Sequence, residues 1–232
     1  MSDKNIATQP TDLDALGTLA KATRLLQEQG IDTPFYQKVI DDTDFRVRLA
    51  RFWKNGGYVE TTSQKTTKEI MGRNFIGIDD VMKHFGVTFS KKQLTILSEI
   101  DIPENELKAK KDTHILFPGF PMNLLDVKEK TKNLFYNQDW YKNQKFAKKE
   151  TVELGWHLIR KTDVENSRNK NWNEQQAMIE SDEKVPTAVT MVYMAILYCL
   201  VTGERLFGNY YVRTNSLDSD GYHVDVGDFD SD

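Results

Sequence analysis

Residues 185–201, VPTAVTMVYMAILYCLV, constrain this chain more than any other stretch. From Ala188 to Val201 nearly every letter is apolar, so a helix here is apolar around its whole circumference. Pro186 stands where the first turn of a helix tolerates a missing N–H, and Gly203 follows where a left-handed residue ends one. Such a helix belongs in a bilayer or at the centre of a core. The apolar run of fourteen residues falls short of the roughly 20 that cross a bilayer. The segment is therefore expected to be the buried central helix of a C-terminal core, in a protein without membrane partners.

The rest of the chain is read around that helix. Residues 1–11 are polar, without periodic apolar letters, and are expected to be disordered. From Asp12, Leu13, Leu16, Leu19, Ala20 and Leu26 recur at helical spacing up to Gly30. Thr33 with Pro34 starts a second helix, and Phe45, Leu49, Phe52 and Trp53 form the stripe of a third. In 78–100, Ile78, Val81, Met82 and Phe85 line one helix, and Gly86–Val87 breaks it. Ser90 and Gln93 have the capping-box spacing of a second, whose inner side is Leu94 and Leu97. After residue 112 the pattern changes. HILF (114–117) reads as a short strand and FPGFP as a turn behind it. Val152, Leu154, Trp156 and Leu158 alternate, which predicts another strand. Asn171 and Glu174 cap a short helix, and NYYVRT and YHVDV are the last strands. The fold class expected is α+β: a helical region over 12–107, then a mixed region over 112–232 with a small antiparallel sheet around the buried helix.

Charge is uneven along the chain. The formal net charge is −4, yet residues 128–170 hold eleven Lys and Arg against six Asp and Glu. Residues 211–232 hold one Arg against six Asp. Net acidity argues against wholesale wrapping of nucleic acid, and leaves room for a local basic patch. One cysteine, Cys199, excludes an intramolecular disulfide framework and a multi-cysteine metal site. Without the basic and apolar regions of a signal peptide at its start, the chain is expected to be cytoplasmic.

Four features bear on chemistry. In LFYNQDWYKNQKFAKK (134–149), rings interleave with cations, the pattern of a surface that stacks unpaired bases. Trp140, Lys142, Lys145, Lys148 and Lys149 are the candidates there, with Phe135, Tyr136 and Tyr141; the alternative is that the rings fill a core. The pair over 78–99 has helix-turn-helix spacing, with Lys91, Lys92 and Gln93 at the start of its second helix. Any two packed helices joined by Gly-Val share that spacing. LDSDG (217–221) is expected to be a hairpin turn in which Asp218 accepts its own turn's N–H groups and Gly221 takes positive φ. A calcium site on Asp218 and Asp220 is the weaker alternative, because the decisive bidentate Glu of an EF-hand is absent: its position is Gly227. Beside this turn Tyr222, Val224 and Val226 are expected to be buried on one strand face. LDSD recurs as FDSD at 229–232, the start of a second turn with its continuation missing. The last strand edge is then free for self-association. Finally, His84, His114, His157 and His223 show no metal-ligand spacing; His157 with Glu153, and His223 with Asp225, share strand faces.

DDVMKHFGVTFSKKQL, KDTHILFPGFPMNLLDV, LGWHLIRKTDVENSRNKNWNEQQAMI, VTGERLF and YVRTNSLDSDGYHVDVGDFDSD together resemble a family of uncharacterised bacterial proteins. The resemblance implies a chain that continues beyond the second Asp-rich motif. It brings no activity, cofactor or site residue. With no phosphate-binding loop and no assembled catalytic set in the letters, the chain reads first as a non-catalytic binding or structural protein needing no cofactor and no metal. Nucleic-acid binding comes second, and an enzyme of unrecognised type third.

Overall fold

The computed structural model describes residues 12–228 apart from 55, 137, 181 and 182, and for residues 12–14, 51 and 54 the backbone alone. The 1–11 tail and the FDSD repeat lie outside the described residues. The chain is α+β, mostly helical with two antiparallel sheets of two strands each. It divides between residues 54 and 55 into two units.

The first unit is three helices: α1 (Asp12–Gln27), α2 (Thr33–Asp41) and α3 (Thr43–Lys54). Asp32, rather than Thr33, holds the N-cap position of α2, and Pro34 lies in the first turn as expected. Asp42 accepts from the Phe45 N–H at 2.8 Å and so starts α3. The Arg46 guanidinium folds back on the last carbonyls of α2, donating to Val39 O at 3.0 Å. Phe35 and Phe45 meet edge to face, 5.6 Å between centroids.

The second unit contains α4 (Thr62–Met71), α5 (Ile78–Phe85), α6 (Lys91–Ile96), α7 (Glu104–Lys110), β1 (His114–Gly119), α8 (Leu124–Lys130), α9 (Lys145–Lys149), β2 (Gly155–Arg160), α10 (Trp172–Gln176), α11 (Ala188–Thr202), β3 (Tyr211–Leu217) and β4 (His223–Gly227). α11 is the helix expected at the centre: every residue from Ala188 to Tyr198 is buried. The end groups of a helix lack partners within it, and free N–H and C=O groups are costly where water is excluded. Both ends are capped, the buried N-terminal one by side chains and the solvent-facing C-terminal one by glycine. Thr187 is the N-cap, and the Ala188 N–H donates to Ser216 Oγ at 2.8 Å, while that hydroxyl donates to Glu150. Gly203 ends the helix at φ 77°, its N–H bonded to Cys199 O at 2.8 Å. No helix among the described residues is long and apolar enough to cross a membrane.

β1 pairs antiparallel with β2, Phe117 opposite His157 and Leu116 opposite Leu158. Ile115 and Phe117 join the core around α11, with Ile78, Val81, Phe85 and Leu97. Leu116 joins a second cluster with Met71, Phe75, Ile100 and Leu107, against which Trp156 and Leu158 pack. The ribbon thus separates two apolar bodies, which is why β1 is buried at all six positions instead of alternating. Part of FPGFP is corrected here: the strand runs on through Pro118 and Gly119. Pro118 lies in a two-stranded ribbon where a missing N–H is tolerated. A Cβ on Gly119 would lie 2.0 Å from Glu153 O, so only glycine allows β2's lead-in to approach this closely.

β3 and β4 form the expected hairpin, with a register shift between Arg213 and Leu217. Val224 and Val226 are buried as expected. Tyr222 is not: it precedes the strand and is 72% exposed. Its N–H is drawn back to Asp218 Oδ1 at 2.9 Å, so it belongs to the turn and not to the strand's alternation.

Candidate binding surfaces

The most unusual surface is that of the N-terminal unit. None of its described side chains is buried. Leu16 and Leu19 on α1 are each 62% exposed, Trp53 on α3 is 82% exposed, and Leu25, Leu26, Ile40, Val47 and Phe52 are also exposed. Of the stripes read from the sequence, Leu16, Leu19 and Leu26 on α1 and Phe52 and Trp53 on α3 are thus open, while Phe45 and Leu49 are half-buried. Composition could not show this, because an apolar stripe has the same letters whether covered or not.

The 134–149 segment divides between core and surface. Tyr141, in the 3-10 turn Trp140–Asn143, and Phe146, on α9, are buried. Trp140 rests on both, with centroids 5.7 Å from Tyr141 and 5.9 Å from Phe146. Its outer side stays 53% exposed, and Tyr136 is 76% exposed. Lys132, Lys142, Lys145, Lys148 and Lys149 of the same segment are exposed. Asp139 lies among these cations. It pairs with Lys142 at 2.6 Å and Lys128 at 3.2 Å, and Lys142 first, then Lys128, hold its carboxyl below the usual aspartate range. Lys148 Nζ donates to Asn143 Oδ1 at 3.0 Å.

The candidates on the helix pair lie elsewhere on the second unit's helices. Gly86 breaks α5 from α6 in the left-handed conformation, and Ser90 and Gln93 form the full capping box. The Gln93 amide oxygen is thereby committed to the Ser90 N–H at 2.8 Å. Lys91 and Lys92 are exposed in the first turn, but α6 is only six residues long.

The acidic turn is built as expected. Asp218 Oδ1 accepts from the N–H groups of Asp220 and Tyr222, both at 2.9 Å, and Gly221 sits at φ 86°. The sequence did not show where the turn docks. Ser219 N–H donates to Gln144 Oε1 at 2.9 Å, and Gln144 Nε2 donates to Ser219 Oγ at 3.3 Å. Two side-by-side bonds thus hold the acidic turn against the residue that precedes α9. Among the described residues, no group of three or more His, Cys, Asp or Glu side chains is arranged to hold a metal ion.

Three of the histidines, His114, His157 and His223, make hydrogen bonds or ring contacts within the fold. His157 Nε2 lies 2.9 Å from the backbone oxygen of Glu153, and the ring stacks on Phe117. His223 stacks on Trp172 at 3.6 Å and bonds Thr214 O at 2.9 Å, while Asp225 faces Arg213 at 3.6 Å. His114 is buried at the start of β1, its Nδ1 2.8 Å from Thr113 Oγ1. Burial, and after it the charges of Arg160 and Lys110, lowers its pKa to about 4.

Sequence reasoning also missed two buried polar networks. Asn74 Oδ1 accepts from Lys161 Nζ at 2.9 Å and from the Tyr198 hydroxyl at 3.0 Å, while its amide donates to Lys111 O at 2.6 Å. Gln64 accepts from the Thr61 N–H at 3.0 Å and from the Tyr58 hydroxyl, and donates to Leu97 O at 2.7 Å. Burial pushes the phenols of Tyr58 and Tyr198 up, away from any acid-base role near neutrality. The Thr61–Gln64 part is the local capping box of α4, but the reach of Gln64 to Leu97 and the whole Asn74 network join residues distant in the chain, so no spacing signals them. No family model matches this chain, and no curated protein or solved structure proves similar to it.

Proposed function

We propose that this is a non-catalytic binding protein whose N-terminal helices dock onto an apolar surface of another polypeptide. The carrying observation is the set of exposed large apolar side chains on α1, α2 and α3, helices that bury none of their described side chains. Folded chains rarely leave contiguous apolar surface in water unless something covers it in use. The exposed leucines of α1, at helical spacing, fit the helix-in-groove mode of recognition, in which large anchors supply most of the energy.

The test uses the full chain with a photoreactive residue in place of Leu19. Irradiation in the producing cell is expected to give discrete adducts that vanish when Leu16 and Leu26 are changed to Asp. A Leu19→Cys variant in a Cys199→Ser background measures the same face in the isolated protein. Slow thiol labelling there would show the face already covered by its own chain, and would reject the proposal.

A further inference from the structure

We infer that the 132–149 segment binds single-stranded nucleic acid, and that the acidic turn at 218–220 screens this surface in the free protein. The inference uses none of the N-terminal helices and stands apart from the reading above. Three observations carry it. Trp140 is a supported platform: Tyr141 and Phe146 fix its inner side while its outer side remains open. Tyr136 offers a second exposed ring on the same segment. Exposed lysines at 132, 142, 145, 148 and 149 share this segment in a chain whose net charge is −4, so the cations are concentrated along it and not general. Rings beside cations recognise unpaired bases and their phosphates together, since every base has a face to stack. The short elements here, a 3-10 turn of four residues and a helix of five, provide no rod to enter a duplex groove, which favours the single strand.

The screening follows from the clamp. Gln144 holds Ser219 by two hydrogen bonds, and both neighbours of Ser219 are aspartates. The clamp thus ties the loop that carries Asp218 and Asp220 to the residue next to Lys145 in the chain. Asp139 supplies further negative charge within the patch, and Glu150 at the end of α9 is turned to Ser216. A strand would compete with the turn for the lysines.

The experiment is fluorescence anisotropy of labelled oligo-dT, oligo-U and a DNA duplex against the full chain at low salt. Binding of the single strands is expected to weaken with salt, with a slope of about −0.7 for each phosphate neutralised. Trp140→Ala should lower affinity roughly tenfold, the loss of one stacked base. Lys145→Glu with Lys148→Glu should abolish binding. Asp218→Asn with Asp220→Asn keeps the turn's acceptors while removing its charge, and should tighten binding. Equal melting temperatures show that all these surface variants fold. No anisotropy change with either the native chain or the Asn variant would overturn the inference. So would equal duplex binding that ignores Trp140→Ala, since it marks polyanion attraction alone. Single-strand binding that the Asn variant leaves unchanged would overturn the screening.

Discussion

Asn74 joins four parts of the second unit through one side chain. Its amide reaches Lys111, and its oxygen reaches Lys161 and Tyr198. Asn74→Ala takes from the buried phenol its 3.0 Å partner, leaving a longer 3.4 Å contact to Glu204, and removes the acceptor of the half-buried Lys161 ammonium. A loss of about 1–3 kcal/mol is expected, measured as a lower chemical denaturation midpoint, because an unmet buried polar group costs more than a hydrogen bond yields. His114 makes a second residue-scale prediction. Its native pKa, about 4, lies below that of an unfolded histidine, about 6.5. Between those values the unfolded chain holds the extra proton, so stability falls as pH is lowered through that window and is level above it. His114→Asn should flatten this part of the stability–pH curve; a curve with unchanged slope between pH 4 and 6.5 would show the histidine is not responsible.

Elements carry the next predictions. α11 holds the core because its whole circumference is apolar and both its ends are capped. Leu197, fully buried on it, should cost about 2–5 kcal/mol when changed to Ala, since packed neighbours refill such a cavity only in part. A denaturation midpoint unchanged within error would count against the core as described. The β3–β4 hairpin turns on Asp218, whose carboxylate already accepts two backbone N–H groups. Calcium is therefore expected to leave the melting temperature unchanged even at millimolar concentration. A reproducible rise would reveal a site on the turn, because selective binding to the folded state must stabilise it.

Across the whole molecule the two units differ in how they bury their apolar residues. The second encloses α11 and the β1–β2 ribbon, whereas the first buries none of its described side chains and leaves several large apolar ones exposed. Local stability follows buried contact, so amides of α1–α3 should exchange with deuterium far faster than those of α11 in the full chain. Protection of α1 equal to that of α11 would mean its apolar face is covered.

By itself the sequence determined the elements whose cause is local. Periodicity and end signals located α1, α5 and α11, and Ser90 with Gln93, like Asn171 with Glu174, announced their capping boxes. A capping box closes within four residues, so its letters suffice. The α+β class followed from the same local patterns. Tertiary structure alone decided what each side chain faces. It continued β1 through Pro118 and Gly119, because apolar bodies press on both faces of the ribbon and its edge tolerates proline. It released Tyr222 from the strand, sorted Tyr141 and Phe146 into the core, and left Trp140 outside on an identical run of letters. It also brought Gln144 to Ser219, and Asn74 to Tyr198. The physical reason is range. A hydrogen bond between residues 75 or 124 apart depends on where the whole chain has packed, and no window of sequence contains that information.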